Sequence, residues 1–249
     1  MAGHSHWAKV KHQKGLTDIR KGKLFSKLSR EISIAARLGG GDPTFNSRLR
    51  RAIATARDEG VPQENIMRAI QKGTGEIAGS HYEEVFYEGY GPGGVAVLIE
   101  AATDNRNRTT AEIRNLFSKY GGNLGAAGSV SWIFQKRGKI VVDAEKNDFD
   151  KVFEVALEAG AEEVEQKGIE IEVIVLPEKL DELQKQFDSA GIVIKSSQMI
   201  YIPKNSISLS DKETLKSLFR LLDILEDQDD VQNVYANFDA PQEILEQCE

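Results

Sequence analysis

VFYEGYGPGGVAVLIEAATDNRNRTTAEI, residues 85–113, is the stretch on which the fold turns. Val85–Glu88 and Val95–Ala101 are rich in β-branched, aromatic and other apolar residues, which suit half-buried strands. Between them, Gly89-Tyr90-Gly91-Pro92-Gly93-Gly94 carries turn chemistry, so the two runs are expected to pair as a hairpin. Thr109-x-x-Glu112 has the form of a capping box and predicts a helix with Ile113, Leu116, Phe117 and Tyr120 on one face, stopped by Gly121-Gly122.

Working outward, Val130–Phe134 and Lys139–Val142 read as strands. A regular alternation follows: helix at Phe149–Ala159, strand at Ile169–Leu176, helix at Pro177–Ala190, strand at Ile192–Ile202. If the segment just before residue 169 supplies a second central strand, the order from Lys139 is β-α-β-β-α-β, a split βαβ or ferredoxin-like unit. A helix at Lys212–Glu226 and a strand at Val231–Phe238 are then placed to complete the sheet begun at Val85. The expected fold class is α+β: a helical N-terminal domain plus two α/β domains of ferredoxin-like type, one inserted in the other. The boundaries are 1–80 for the basic helical domain with its arm and linker, 81–137 plus 205–249 for the discontinuous domain, and 138–204 for the inserted acidic domain.

Upstream, Leu24, Phe25, Leu28, Ile32, Ala35 and Ala36 cover one arc of a helix expected over Thr17–Leu38, with Lys23, Lys27, Arg30 and Arg37 as a stripe opposite. Gly39-Gly40-Gly41 stops it. Asp42-Pro43 is expected to restart the chain as an N-cap followed by proline, giving a second helix with Phe45, Leu49, Ala52, Ile53 and Ala56 inward and Arg50, Arg51 and Arg57 off that stripe. Gly60 ends it, and Pro62 opens a short third helix ended by Gly73. Residues 1–14 read as a basic arm, and 73–80 as a linker.

Charge is distributed unevenly. Residues 1–80 hold 15 Lys+Arg against 7 Asp+Glu, residues 81–137 are balanced, and residues 138–249 hold 11 against 26. Such a bipolar chain turns its basic end toward a polyanion and its acidic end away from it, or toward a basic protein. No apolar run is long enough for a spanning helix. The single cysteine, Cys248, excludes a disulfide framework and cysteine-based metal sites, and suits a reducing cytoplasm.

The candidate nucleic-acid contacts are Trp7, Lys9, Lys11, His12 and Lys14 in the arm, Arg20, Lys23, Lys27, Arg30 and Arg37 on the first helix, and Arg50 and Arg51 on the second. Lysine and arginine bind phosphates with release of counterions, and an aromatic such as Trp7 can stack on a base. Asn105, Arg106, Asn107 and Arg108, between a strand and a helix N-terminus, suit a phosphate or a carboxylate. They equally suit a turn whose arginine pairs with Asp104 or Glu100. His4, His6 and His12 lack an acidic or cysteine partner in the arm, so contact with phosphate or RNA is the preferred reading over a metal site. Gly91–Gly94 leads into a strand with no Gly-Lys-Ser/Thr after it, so it is no phosphate loop. Acid runs such as Asp227–Asp230 read as solvated loop ends. No catalytic set assembles, and no cofactor or metal is expected.

GHSHWAKVKHQKG at 3–15, KLFSKLSREISIAARLGGGDP at 23–43, RLRRAI at 48–53, VPQENIMRAIQKGTGE at 61–76, YEGYGPGGVAVLIEAATDNRNRT at 87–109 and GGNLGAAGSV at 121–130 resemble the YebC family, most densely from 3 to 130. The resemblance implies three domains, one helical and two α/β with one inserted in the other. It also implies control of gene expression through nucleic acid. Bacterial members are described as DNA-binding transcriptional regulators. The mitochondrial relative is a translational activator, and some bacterial relatives act on stalled ribosomes. A start two residues before GHSHWA leaves no room for a presequence and points to a bacterial cytoplasmic member. The leading expectation is a non-enzymatic DNA-binding regulator. The alternative is a factor bound to ribosomal RNA, whose acidic C-terminal domain meets basic ribosomal proteins. A metal-dependent nuclease and an acidic protein-binding scaffold are the remaining classes.

Overall fold

The computed structural model describes residues 18–79 and 81–246. It is α+β, with three helices preceding two antiparallel sheets. Helices α1 (Asp18–Gly39), α2 (Ser47–Asp58) and α3 (Gln63–Thr74) enclose a small core of Ile32, Ala35 and Ala36 from α1, Leu49, Ala52, Ile53 and Ala56 from α2, and Ile66 and Ala69 from α3. The small residues let the helices approach closely. A Cβ on Gly73 would stand 2.3 Å from the Ser33 carbonyl oxygen, and the Ser33 hydroxyl donates to the Ala69 carbonyl at 2.8 Å. Gly73 is therefore a packing residue inside α3, not its stop. The stop is Gly75, whose φ of 82° is the left-handed conformation of a helix C-cap.

The second helix also starts later than Asp42-Pro43 suggests. Asn46 is the N-cap: its Oδ1 accepts from Leu49 N at 3.0 Å, while its Nδ2 donates to the carbonyls of Ala35 and Gly40. Asp42 instead closes a local turn onto Thr44 N. The periodicity assigned to Phe45 fails for the same reason. It lies ahead of the helix and is 87 % exposed rather than in the core.

The hairpin pairs β1 (Glu83–Tyr90) with β2 (Ala96–Thr103), in register from Glu83 opposite Thr103 to Tyr90 opposite Ala96. Helix α4 (Arg106–Lys119) follows. Its cap is Asn105, whose side chain accepts from Arg108 N, so the box at Thr109 is not the cap. Thr109 is fully buried and bonds inward. A short strand, β3 (Asn123–Leu124), lies beside β1, and β8 (Val231–Ala236) beside β2, giving the order β3-β1-β2-β8. Helices α4 and α7 (Lys212–Asp227) cover this sheet through Ile113, Phe117, Leu215, Leu218, Leu221, Leu222 and Leu225.

Val130–Phe134 is not a strand. Its first residues lie in a loop and a single turn at Ser131–Ile133, and β4 begins at Phe134 and ends at Asp143. From there β4, α5 (Phe149–Glu158), β5 (Glu163–Lys167), β6 (Glu170–Val175), α6 (Leu180–Ser189) and β7 (Ile194–Pro203) follow in turn. The strand order β5-β6-β4-β7 is that of a split βαβ unit. It has its own core, including Ile140, Val142, Ile171, Val173, Leu183 and Phe187. The chain divides into two units, one running to Phe134 and resuming at Pro203, the other comprising Gln135–Ile202. Among the described residues, no helix is long and apolar enough to cross a membrane.

Candidate nucleic-acid interface

The basic stripe of α1 does not face solvent along its length. Helix α7 ends at Asp227, where its last carbonyls have no helical partner and the macrodipole places partial negative charge. The Lys27 ammonium donates to the Glu226 carbonyl at 2.6 Å and that of Lys23 to the Asp227 carbonyl at 2.8 Å. The Arg30 guanidinium donates to the Asp229 carbonyl, and Lys23 also stands 3.5 Å from the Asp229 carboxylate. Of the four stripe cations, Lys23 and Lys27 thus cap another helix of the same chain, and Arg30 ties to the turn just beyond it.

Below this seam lies Asp230, which is not part of a solvated acid run: it is 3 % exposed. Its carboxylate accepts from the Thr109 hydroxyl at 2.6 Å, the Arg108 guanidinium at 2.9 Å and the Thr103 hydroxyl at 3.3 Å, with Arg30 3.6 Å away. Burial pushes this carboxyl up. The Thr109 hydroxyl and the Arg108 and Arg30 charges outweigh that and hold it below the usual aspartate range. Arg48 makes a second tie, bidentate to Glu31 at 2.7 and 2.9 Å and bonded to Glu84 of β1 at 2.7 Å. Beside it, Glu100 of β2 accepts from Asn233 at 2.9 Å. Burial, with the nearby charges of Glu84 and Glu31, raises the Glu100 carboxyl to about 7.

The Asp104–Arg108 segment divides. Arg108 turns inward to Asp104 and Asp230, the pairing that a plain turn would make. Asn105 is the helix cap. Arg106 and Asn107 are exposed in the first turn of α4, and the Arg106 side chain makes no hydrogen bond or ion pair among the described residues. Arg37, exposed at the end of α1, and Arg57, exposed at the end of α2, are in the same state. Arg57 is absent from the sequence candidates, although it lies off the apolar stripe of α2 just as Arg50 and Arg51 do. Arg50 is half-buried and donates to the Pro43 carbonyl at 3.0 Å, bracing the turn before α2. Arg51 is half-buried on α2. Arg20 lies in the first turn of α1, with its side chain outside the described residues. Trp7, Lys9, Lys11, His12 and Lys14 lie outside them altogether, with His4, His6 and Cys248. Among the described residues no group of three or more His, Cys, Asp or Glu side chains is placed to hold a metal ion.

This architecture and its sequence have close counterparts. The family model for the TACO1/YebC N-terminal domain matches residues 5–76, and that for the TACO1/YebC second and third domain matches residues 82–238. The chain belongs to the TACO1/YebC family. Over its full length it is 88 % identical to a probable transcriptional regulatory protein of Methylacidiphilum infernorum, covering all of both chains. It is 52 % identical to one of Desulfotalea psychrophila, covering 99 % of each. The crystal structure of a conserved hypothetical protein from Aquifex aeolicus, 49 % identical, matches with a TM-score of 0.89 over 96 % of this chain and 99 % of that one. The TACO1/YebC resemblance seen in the sequence is therefore a family membership spanning the helical and both α/β parts.

Proposed function

We propose that this TACO1/YebC protein is a non-enzymatic regulator of gene expression that binds nucleic acid through its basic N-terminal part, with DNA as the target. The single observation that carries this reading is the charge left over. Residues 1–80 hold 15 basic residues against 7 acidic ones. After the seam has taken Lys23, Lys27 and Arg30, the exposed side chains of Arg37 and Arg57 still have no partner among the described residues. Exposed, unpaired guanidinium groups suit phosphate, which they bind in a fork geometry. Arg106, exposed at a helix N-terminus, adds to the same field. The names of the relatives, probable transcriptional regulatory proteins, support the regulatory class and favour DNA.

Phosphate contacts fix position without reading sequence, so affinity should depend steeply on salt. The test is a salt titration of binding to labelled duplex DNA and to structured RNA, with crosslinking in cells and sequencing of the attached strands. A slope steeper than about −3 in log K against log salt is expected for four or so contacts. No binding to either polymer at low ionic strength would end the proposal.

A further inference from the structure

The loop between β3 and β4 lies outside the basic module, yet it is held more tightly than a connector needs to be. Glu88 of β1 is 6 % exposed, and its carboxylate accepts from the backbone N–H groups of Gly128, Val130 and Ser131, each at 2.7 Å. Burial raises this carboxyl, and the three N–H bonds outweigh it and hold it low, so the charge is neutralised locally rather than presented. The loop so anchored presents one aromatic ring, and the adjoining end of β1 presents a second. Trp132 is 62 % exposed and Tyr90 is 38 % exposed. Both donate to one acceptor, the Ser129 carbonyl: Tyr90 through its hydroxyl at 3.0 Å, Trp132 through its indole N–H at 3.1 Å.

A tryptophan this exposed is an anomaly, because leaving its large apolar face in water forgoes burial. Its polar handle is already used, so what it offers an incoming ligand is a π-face on a fixed mount. One exposed cation is tied to this loop. Lys204, whose backbone N–H donates to the Ile133 carbonyl at 2.8 Å next to Trp132, is exposed, and its ammonium has no partner among the described residues. No aspartate or glutamate occurs from residue 113 to residue 142. A flat exposed aromatic, with an unpaired lysine on the segment hydrogen-bonded to its own, suits a nucleobase joined to its phosphate, and the base must be unpaired for its face to be free.

The geometry points to a second nucleic-acid contact, separate from the basic module: Trp132 and Tyr90 stack an unpaired base of a single strand while Lys204 meets its phosphate. This extends the proposed function and rests on it, because it adds a single-strand preference to a protein already read as binding nucleic acid.

The test uses the full chain and fluorescence anisotropy with labelled 12-nucleotide strands of RNA and of DNA, each also annealed as a duplex. Trp132→Ala should weaken binding of single strands about tenfold, as expected for loss of one stacked base, and change duplex binding less than twofold. Trp132→Phe, which keeps a ring, should restore most of the loss. Photocrosslinking of a 5-iodouracil strand should label Trp132 or Tyr90. RNA and DNA strands responding alike would place recognition in base and phosphate, and a loss confined to RNA would add the ribose hydroxyl. Both outcomes support the contact. Unchanged single-strand affinity in Trp132→Ala, with wild-type binding intact, would overturn this contact and leave the proposed function standing. It would mark the exposed rings as a protein-binding surface instead. Absence of binding by the wild-type chain to every strand and duplex would overturn both.

Discussion

Lys23, Lys27, Arg30 and Arg37 are four cations along one face of α1, and their fates diverge. The first three end on the carbonyls of residues 226–229, whereas Arg37 makes no bond to any described residue. The same contrast recurs within one turn of α4, where Arg108 is drawn to Asp230 and Arg106 is left outside. A helix C-terminus carries roughly half a negative charge and unsatisfied carbonyls, so to a lysine it resembles a phosphate strand. One sign of charge on one helix face therefore does not distinguish a seam within the molecule from a surface for a polyanion. What distinguishes them is whether a negative helix end of the same chain lies within reach.

The contrast can be broken at its centre. Asp230→Asn should lower unfolding stability by about 3 kcal/mol in urea denaturation, because it strips the charge that Arg108 and Arg30 face in a buried site. Since the folded carboxyl lies below its ordinary value, the wild-type advantage is fully present above the unfolded value near pH 4 and is lost progressively as pH falls from there through the lower folded value. A loss of stability that stayed the same at pH 3 would show that packing, not charge, accounts for it.

Replacing Lys23, Lys27 and Arg30 together by alanine should cost about 2 kcal/mol of stability by the same measurement, through lost caps on α7 and the lost Arg30 contacts to Asp229 and Asp230. It should leave the salt slope of nucleic-acid binding unchanged within about half a unit. A slope flattened by about three units would return these residues to the binding surface.

Glu100 has the opposite sign. Its folded pKa of about 7 lies above the unfolded value, so its charge weakens the fold increasingly as pH rises from about 4.5 through 7. Glu100→Gln should therefore raise the melting temperature at pH 8, by about 1–2 kcal/mol of stability, with the gain vanishing near pH 5. A gain independent of pH would remove the carboxylate cluster as its cause.

The smallest effect on stability is expected at the exposed set. Arg37→Ala, Arg57→Ala and Arg106→Ala together should stay within about 0.5 kcal/mol of wild type in urea, yet flatten the salt slope by about two to three units. Unchanged binding would show that exposure and lack of a partner do not mark the contact.

Much of the fold could be read directly. The Val95–Ala101 run is a short, continuously apolar stretch bounded by turn residues, and the helices at Phe149 and Lys212 are periodic over enough residues for burial pattern to fix their type. Errors gathered where single residues decide. Asn46 displaced Asp42 as a cap, Asn105 displaced Thr109, and Gly75 displaced Gly73, because each choice depends on which nearby group finds a hydrogen bond or a close contact. The candidate site was less legible. The cationic character of residues 1–80 was visible in composition. Glu88, with three backbone N–H partners spread over Gly128–Ser131, carried no local signal at all.

Sequence alone determined the classes of element, the bipolar charge and the family, since periodicity, composition and long motifs are properties of neighbouring residues. Only the tertiary structure decided which cations remain available to a partner. Charge pairing depends on distances between residues some two hundred positions apart, as for Lys23 and Asp229, and no local pattern encodes such a distance.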